Sequence, residues 1–436
     1  MCAELSLLQS QTVTHSWAHT EAVLCSALGP QWSQVIQVHE ADVIGSGSVA
    51  QVYKATLMIR GGRRIPVAVK VLHPAIRQSI EADLFLLRSA AQAVESIGGV
   101  LLQLLEQLMS AGPRARSCYP LVCVSVRESM DQFSSLLGSQ LDLQGEGVAL
   151  ERLHDNFKGS SHVVVPTPWL LYKDEATDEV IAFNTAVPCL NTSLPDADLL
   201  SRCTLLRHPD LLIETFEEGV PMLEVLRGSA NSASHDRFIA GLGLDIILKM
   251  VFEDNYVHAD LHAGNILVRY DEPLGVDQLS PATQPKIVLL DAGLVVQLQP
   301  HDKKNFVSLF KAVLDNNGRE AARLMMEHMS NISSTAPNSD VKMVVNPEGF
   351  QDKMAALVDD VHRKGLLLSN ISVGSLLKQV LQYCYEHHVK LESRYVSTVL
   401  SIILAEGMGR QLDPDINIIE RARPFIIRAA MEFIMS

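Results

Sequence analysis

Three polar residues beside short apolar stretches in the C-terminal half constrain the fold of this chain more than any other feature. Asp260 precedes Asn265 by five residues, and Asp291 lies 31 residues beyond Asp260. The segments Asn265–Arg269 and Lys286–Leu290 are strand-like, and antiparallel pairing between them would bring Asn265 and Asp291 together. Because Mg²⁺ prefers carboxylate and amide oxygens, we expect these two side chains to hold it, with Asp260 facing an attacking hydroxyl.

The N-terminal half contains a glycine-bearing turn and a lysine at the end of an apolar strand. Val43–Ile59 and Ile65–Leu72 are strand-like, the first with Gly45 and Gly47 near its start and the second ending around Lys70. Glycines let backbone N–H groups approach a triphosphate, and a strand lysine can reach its α- and β-phosphates. The order of these features along the chain predicts ATP and Mg²⁺ held between two lobes.

The distribution of helical and strand-like patterns predicts an α+β protein, and the residues described above resemble those of the two-lobed, protein-kinase-like fold. We expect a strand-containing N-lobe at 40–217 and a mainly helical C-lobe at 218–436, and the resemblance implies that 1–39 is the N-terminal remnant of an extension. The pattern predicts a strand at Leu211–Phe216, an irregular insertion at 173–210 and a polar loop at 331–349. Predicted helices span 76–109, 125–157, 234–254, 302–329, 349–365, 373–388, 394–406 and 416–435.

Composition excludes several other classes of protein. With 36 Lys and Arg against 50 Asp and Glu, the formal charge is −14, which argues against nucleic acid as a partner. No apolar run approaches the ~18 residues of a membrane-spanning helix. The seven cysteines are odd in number and show no Cys-x-x-Cys spacing, so we expect neither a disulfide framework nor a zinc site.

Several segments resemble the UbiB-type atypical kinases, also called aarF-domain kinases. The most specific match is the segment His258-Ala-Asp-Leu-His-Ala-Gly-Asn-Ile-Leu. The resemblance as a whole covers roughly residues 20–425. The segments Val67–Ile76, Gln140–Glu146 and Leu211–Gly219 also match. The resemblance implies that Lys70 contacts phosphates, that Glu146 pairs with Lys70 and that Asp260 is the catalytic base. It also implies that Asn265 and Asp291 bind the metal.

Other assignments complete the expected site. We expect His258 to brace the catalytic loop, while Glu81 and Glu128 are rival partners for Lys70. Gly145 and Gly147 flank Glu146 and would weaken its helix by about 1 kcal/mol each relative to alanine. The residues expected to contact the nucleotide are Gly45, Ser46, Gly47, Ser48, Val52, Ala68, Lys70 and Glu214.

The family resemblance also carries expectations about cellular role. It implies a mitochondrial, membrane-associated protein that supports ubiquinone (coenzyme Q) biosynthesis and lipid metabolism, with a lipid or membrane surface and other ubiquinone-pathway proteins as partners. The family's Lys-x-Gly-Gln segment is not found here, and we expect the sequence to begin after it, which would also remove any targeting segment. Ala292 stands where ordinary kinases have phenylalanine, so a switch based on packing of that ring cannot operate.

Three functional readings follow from these residues. The first is an atypical kinase or ATPase that depends on ATP and Mg²⁺. The second is a pseudokinase that binds nucleotide and changes shape to hold a partner. The third is a small-molecule phosphotransferase of the choline or aminoglycoside kinase type, which shares the spacing of Asp260 and Asn265.

Overall fold

The computed structural model describes thirteen stretches of the chain, and all structural statements concern these. They are 14–59, 62–90, 134, 137–174, 180–184, 203–206, 208–228, 233–270, 284–335, 344–363, 373–389, 391 and 393–435. The described residues form two compact units. The first unit draws on residues within 1–82, 136–229 and 262–294, and the second on residues within 83–135, 230–261 and 295–436.

Strands and helices are interspersed as far as Val296, and the described residues beyond it form helices joined by loops. The first part of the chain forms α1 (Trp17–Leu28), α2 (Trp32–Val35), β1 (Ile36–Gln37), β2 (Val43–Ser46), β3 (Ala50–Ile59), β4 (Arg63–Leu72) and α3 (76–90). The middle part forms α4 (Leu143–Phe157), β5 (Val163–Val164), β6 (Leu170–Asp174), β7 (Val180–Phe183), β8 (Cys203–Leu206), β9 (Leu211–Thr215), β10 (Val220–Pro221) and α5 (Met222–Leu226). The remainder forms α6 (Ala233–Leu248), β11 (Val257–His258), β12 (Ile266–Arg269), β13 (Lys286–Leu289), β14 (Val295–Val296), α7 (Pro300–Leu314), α8 (Gly318–Thr335), α9 (Pro347–Arg363), α10 (Val373–His387), α11 (Ser393–Leu412) and α12 (Ile418–Met435).

A five-stranded antiparallel sheet is the centre of the first unit. Its strands run in the order β1-β3-β4-β9, with β2 paired to β3. One face carries Tyr53, Val69 and Ile213, which are buried in a core that α1 covers. Since side chains alternate across a strand, Val52, Lys70 and Leu212 lie in one row on the opposite face. The sequence pattern therefore packs one face of this sheet into the core and places Lys70 on the other.

A second sheet in the first unit holds the predicted metal-binding segments. Its order is β10-β12-β13-β5, with β12 and β13 antiparallel and β5 parallel to β13. The strands β12 and β13 were expected at almost these positions, and their predicted antiparallel pairing is present. Ile287, Val288 and Leu289 are each no more than 1% exposed, which accounts for the continuous apolar run in the sequence.

Two predictions for the first unit were wrong. The expected single strand Val43–Ile59 is two strands, because Gly47 donates its N–H to the carbonyl of Ala50 at 2.9 Å and turns the chain back. Part of the expected irregular insertion at 173–210 is ordered in a sheet, since β7 and β8 flank β6 as antiparallel neighbours. That sheet packs through Leu171 against the core of the first unit.

The second unit is built mainly from helices. The helix α8 packs on α9, α6 on α11 and α7 on α12. A group of rings from Phe252, Phe306, Phe310 and Tyr395 lies at its centre, with centroids 4.7–6.0 Å apart. The helix α6 continues into a π-helical segment, Lys249–Asp254, that leads to β11 and the loop that carries Asp260.

Helix boundaries differ from the predictions where tertiary contacts decide them. The expected helix 302–329 is two helices, because Asn316 adopts a left-handed backbone with φ 54°. A Cβ on Gly318 would lie 2.5 Å from the carbonyl oxygen of Met354, so the close approach of α8 to α9 requires glycine there. The expected polar loop 331–349 begins with residues that complete α8, while 336–343 lie outside the described residues. The predicted helical residues 91–109 and 125–133, which include Glu128, also lie outside the described residues.

No helix in the described stretches is both long enough and apolar enough to cross a lipid bilayer.

Candidate active site

A buried ion pair between Lys70 and Glu146 is the centre of the candidate site. Lys70 Nζ donates to both carboxylate oxygens of Glu146 at 2.8 Å. The side chains are 13% and 2% exposed, so both charges are largely removed from water. This pairing, which the family resemblance implied, is present in the structure. The rival Glu81 is an exposed residue of α3.

The position of Glu146 depends on how α4 begins. Asp142 caps this helix by accepting hydrogen bonds from the backbone N–H groups of Gln144 and Gly145 at 3.1 and 3.0 Å. A Cβ on Gly145 would lie 2.9 Å from the Asp142 carboxylate, and one on Gly147 would lie 3.4 Å from the Leu212 side chain. The two glycines thus bring the cap and β9 close to the helix, which gives a packing reason for residues that lower helix propensity.

Asp291 extends the ion pair into a group of three charges. Its Oδ2 accepts a hydrogen bond from Lys70 Nζ at 3.1 Å, and its Oδ1 accepts one from the N–H of Gly293 at 3.0 Å. A Cβ on Gly293 would lie 3.1 Å from that Oδ1. The side chain of Asp291 is 43% exposed, in contrast to its two partners. Asp291 is therefore the member of the group that solvent and solutes can reach.

Asn265 is positioned by the same ladder that ends at Asp291. Ile266 pairs with Leu289, and the next residue along, Leu290, donates its N–H to the carbonyl of Asn265 at 2.8 Å. A short 3₁₀ turn, Ala263–Asn265, precedes β12. The pairing therefore sets Asn265 one residue away from Asp291 across the strands, as the sequence predicted.

Burial and neighbouring charges shift the pKa values in this group. Burial would lower the pKa of Lys70, but the negative charges of Asp291 and Glu146 outweigh it and raise that pKa above its ordinary value. Burial raises the pKa of Glu146 to about 7, although the Lys70 charge opposes the shift. Lys70 is therefore held as a fixed cation, and Glu146 gains or loses a proton more easily near neutral pH than an exposed carboxyl would.

Glu214 adds a fourth ionisable group to the same face of the sheet. It lies opposite Ala68 in the β4–β9 register, is 8% exposed, and its Oε2 has no hydrogen-bond partner among the described residues. Burial raises its pKa to about 8, with the charge of Glu146 adding to the shift and that of Lys70 opposing it. The sequence named Glu214 as a nucleotide contact, but nothing in the sequence indicates a carboxyl that stays protonated near neutral pH.

The glycine-bearing turn lies between β2 and β3. Gly45 and Ser46 pair with Val52 and Gln51, so the turn itself consists of residues 47–49. Ser48 is exposed at its tip. Val52 pairs directly with Lys70, and Ala68 lies two residues before Lys70 on the same face. The residues predicted to contact a nucleotide thus lie along one face of the sheet and at the turn beside it.

Three histidines beneath this turn were not predicted. His73 contacts Gly47 and His15, and His15 contacts Thr20 on α1. His19 contacts the carbonyl of Leu72 at 2.9 Å. Because 58 residues separate His15 from His73 in the chain, no spacing pattern connects them, and only the folded sheet does so.

The expected catalytic base belongs to the second unit. Asp260 follows β11, and its backbone N–H donates to Nδ1 of His258 at 3.2 Å. His258 is 1% exposed and pairs with Val295 across β11 and β14. Asn255 fixes the start of this loop through two hydrogen bonds with the backbone of Leu298. The bracing role expected for His258 agrees with these contacts, while the role of Asp260 in catalysis stays a prediction.

Comparison with known protein families accounts for most of the chain. The description "ABC1 atypical kinase-like domain" matches residues 7–187 and 204–325, and "UbiB helical domain" matches 354–417. The chain belongs to the ABC1 atypical kinase-like family. This membership agrees with the predicted α+β, kinase-like fold and with the resemblance to UbiB-type kinases.

Three named relatives of this ABC1 family member, two from fungi and one from a bacterium, match nearly the whole chain. A mitochondrial ABC1 family protein of Schizosaccharomyces pombe is 27% identical over 98% of this chain and 60% of its own length, and one of Saccharomyces cerevisiae is 28% identical over 98% and 62%. A protein of Xanthomonas campestris named "Probable protein kinase UbiB" is 28% identical over 98% of this chain and 64% of its own. The chain thus spans about three fifths of the length of these relatives.

A solved structure supports the fold of this ABC1 domain. The complex of Rv3197 with erythromycin from Mycobacterium tuberculosis aligns with a TM-score of 0.50 over 95% of this chain and 84% of its own, at 16% sequence identity. At that identity, the similarity supports the fold alone.

Asn265 and Asp291 carry the kinds of oxygen atom that a magnesium ion would take as ligands. Carboxylate and amide oxygens are hard ligands, and Mg²⁺ commonly combines one or two protein oxygens with phosphate oxygens and water. The exposure of Asp291 leaves its carboxylate accessible to such a cation. A magnesium ion there would neutralise negative charge on a bound triphosphate.

Proposed function

We propose that this ABC1 family protein binds ATP with Mg²⁺ and transfers the terminal phosphoryl group to an acceptor hydroxyl or to water. The observation that carries this proposal is the buried ion pair of Lys70 and Glu146 with the accessible carboxylate of Asp291 beside it. A fixed ammonium beside an accessible carboxylate is suited to a ligand that carries both phosphate oxygens and a divalent cation.

Each residue has a distinct role in this proposal. Lys70 contacts the α- and β-phosphates, and Glu146 keeps the Lys70 side chain in place. Asn265 and Asp291 would hold the magnesium ion, while Asp260 orients the attacking hydroxyl or water and accepts its proton. Positioning and electrostatic stabilisation supply most of the rate enhancement, because phosphoryl transfer demands little covalent chemistry from the protein.

The remaining expected contacts complete the nucleotide site. The backbone around Gly45, Ser46, Gly47 and Ser48 approaches the phosphates, while Val52, Ala68 and Glu214 contact the rest of the nucleotide. The small side chain of Ala68 leaves room on the sheet face for a flat ring, and the carboxyl of Glu214 offers it a hydrogen-bond partner.

The family suggests where this activity acts. On the names of the two fungal relatives, we propose a mitochondrial protein. The resemblance to UbiB-type kinases further supports a role in ubiquinone biosynthesis and lipid metabolism at a membrane surface, together with proteins of that pathway. Cells lacking the protein should contain less coenzyme Q, and wild-type protein but not Asp291→Ala should restore it. Unchanged coenzyme Q in those cells would reject this role.

Thermal unfolding with and without nucleotide tests the binding site directly. A ligand present at ~100 times its dissociation constant adds roughly 2.7 kcal/mol to the stability of a folded protein. Mg-ATP should therefore raise the melting temperature by several degrees. Asp291→Ala should remove the part of that increase that depends on Mg²⁺ and keep the part produced by ATP with EDTA.

A matched control separates metal binding from general loss of charge. Asp245 is a carboxylate of similar exposure, 39% against 43%, that pairs with Arg421 in the second unit. Asp245→Ala should leave the nucleotide effect unchanged. Failure of Mg-ATP to stabilise the wild-type protein would reject the proposed function.

A further inference from the structure

A chain of hydrogen bonds connects the glycine-bearing turn with α1. Nε2 of His73 lies 3.0 Å from the carbonyl oxygen of Gly47, and the two Nδ1 atoms of His73 and His15 are 2.8 Å apart. Nε2 of His15 lies 2.7 Å from Oγ1 of Thr20, which is 2.7 Å from the hydroxyl of Tyr53. We refer to His15, Thr20, Tyr53 and His73 as the histidine relay.

With both imidazoles neutral, these contacts have only one set of donors and acceptors. The carbonyl of Gly47 only accepts, so His73 carries its hydrogen on Nε2 and accepts on Nδ1. His15 must then donate from Nδ1 and accept on Nε2, which receives the hydroxyl hydrogen of Thr20. Burial, with His73 and His19 nearby, lowers the pKa of His15 to about 4, which agrees with a neutral ring near pH 7.

The far end of the relay is closed by Gln51. Its Nε2 donates to the hydroxyl of Tyr53 at 2.7 Å, and its Oε1 accepts the backbone N–H of His15 at 2.9 Å. Gln51 and Tyr53 are 2% and 1% exposed, and Thr20 is fully buried. These three side chains therefore hold one arrangement strongly, because a change of partner at this end of the relay leaves a buried donor or acceptor unsatisfied.

His73 fixes both carbonyl groups that bound the tip of the turn. Its backbone N–H donates to the carbonyl of Val49 at 2.9 Å, while its ring donates to that of Gly47. In a planar trans peptide the N–H points away from the carbonyl oxygen. Holding the Gly47 oxygen against His73 therefore directs the N–H of Ser48, at the exposed tip of the turn, to the opposite side.

We propose that the histidine relay is a positioning device that aims the Ser48 amide N–H at a phosphate group of the bound nucleotide. This inference rests on the proposed nucleotide site, since the same turn lies beside Lys70. His73 does not contact the ligand in this proposal. It acts through the Gly47–Ser48 peptide, and His15 acts through His73 by setting which ring nitrogen carries the hydrogen.

Paired substitutions separate hydrogen bonding from bulk. His73→Gln keeps a donor N–H near the position of Nε2, and His15→Asn keeps one near the position of Nδ1, whereas His73→Ala and His15→Ala keep neither. We expect His73→Ala to weaken Mg-ATP binding about tenfold, as loss of one partly buried hydrogen bond would. Both amide variants should bind within about threefold of wild type.

Adenosine, which lacks phosphates, is the matched ligand. Because the relay is proposed to act on a phosphate contact, adenosine should bind His73→Ala and wild type equally. Equal losses for Mg-ATP and adenosine would indicate general damage to the fold and would overturn the proposal. Equal Mg-ATP affinity in His73→Ala and wild type would overturn it as well. His19→Ala, which removes a neighbouring histidine outside the relay, should leave Mg-ATP affinity unchanged.

Nitrogen NMR of the ¹⁵N-histidine-labelled wild-type protein is a second test, which does not depend on the stability of the alanine variants. At neutral pH, His15 should show the Nδ1–H tautomer and His73 the Nε2–H tautomer, with assignments from His15→Asn and His73→Gln. The reverse tautomers would overturn the relay. If wild-type protein binds no Mg-ATP, the proposed function fails and this inference fails with it. If wild type binds Mg-ATP and His73→Ala binds it equally well, only the relay fails.

Discussion

Asp291 adopts an unfavourable backbone conformation that places its carboxylate beside Lys70. Its φ of 55° lies in the left-handed region, which non-glycine residues adopt rarely. The hydrogen bond from Gly293 and the contact with Lys70 hold it there. The cost of the backbone conformation is offset by these contacts, and the result is an accessible carboxylate beside a buried cation.

Removing the cation should expose the cost of burying Glu146. Lys70→Met leaves that carboxyl without its partner, so we expect a loss of about 3 kcal/mol in unfolding free energy at pH 8. The loss should be smaller at pH 5.5, because a protonated Glu146 tolerates burial. Denaturant unfolding at the two pH values measures this. Adding Glu146→Gln should restore most of the stability at pH 8, and a loss that is independent of pH would contradict the explanation.

The raised pKa of Glu214 predicts a second pH dependence of the unfolding free energy. The folded-state pKa of about 8 exceeds the ordinary value of 4.5, so the folded protein binds more protons than the unfolded chain between these values. Unfolding free energy should therefore fall as pH rises from about 4.5 to 8. Glu214→Gln lacks the ionisable group, so its melting temperature should rise relative to wild type across this range.

The control for Glu214 is a neighbour in the chain with the opposite environment. Glu218 has a side chain that is 78% exposed, and its contact with Lys54 is 3.6 Å long. The melting temperature of Glu218→Gln should differ from that of wild type by a constant amount over the same pH range. A constant difference for Glu214→Gln too would show that its carboxyl is ionised in the folded protein.

At the level of the element, α4 has a low helix propensity and nevertheless positions Glu146 against Lys70. Its two glycines lower helix propensity, yet they permit the Asp142 cap and the close contact with Leu212 on β9. Because Glu146 lies in the first turn, the cap and the ion pair depend on each other.

Loss of the cap should therefore affect ligand binding as well as stability. Asp142→Ala should lower unfolding free energy by about 1 kcal/mol. It should also reduce the rise in melting temperature caused by Mg-ATP, because Glu146 then holds Lys70 less firmly. Asp142→Ser keeps a capping oxygen and should therefore retain most of the unfolding free energy and most of the rise in melting temperature caused by Mg-ATP. An unchanged nucleotide effect in Asp142→Ala would show that Lys70 does not need the capped helix.

For the whole molecule, the parts that the sequence predicted are those fixed by local pattern. The strand that carries Lys70 and the strands β12 and β13, which adjoin Asn265 and Asp291, follow from apolar runs bounded by polar residues. The antiparallel pairing of β12 with β13 follows from their order, because strands that are consecutive in the chain tend to pair. The Glu146 contact came from family resemblance, since its spacing from Lys70 carries no pattern. The unpartnered oxygen of Glu214, the histidine relay and the break at Asn316 depend on contacts between distant segments, so no local pattern predicts them.

The division into two units predicts that binding and turnover can be separated. The charged group around Lys70 lies in the first unit, whereas Asp260 lies in the second. Asp260→Asn should keep the Mg-ATP effect on melting temperature and lose ADP release. Equal ADP release by wild type and this variant would favour the pseudokinase reading, and release that a small alcohol stimulates would favour a small-molecule phosphotransferase.

The parallel contact between β5 and β13 has a consequence for biosynthesis. The first unit is assembled from three separate stretches of chain, and the last of them supplies β13 and Asp291. While the polypeptide is still emerging from the ribosome, Lys70 and Glu146 are made long before Asp291. The nascent N-terminal portion must therefore wait, with one sheet incomplete, until translation has passed residue 294, and this interval is when chaperones would have most to protect.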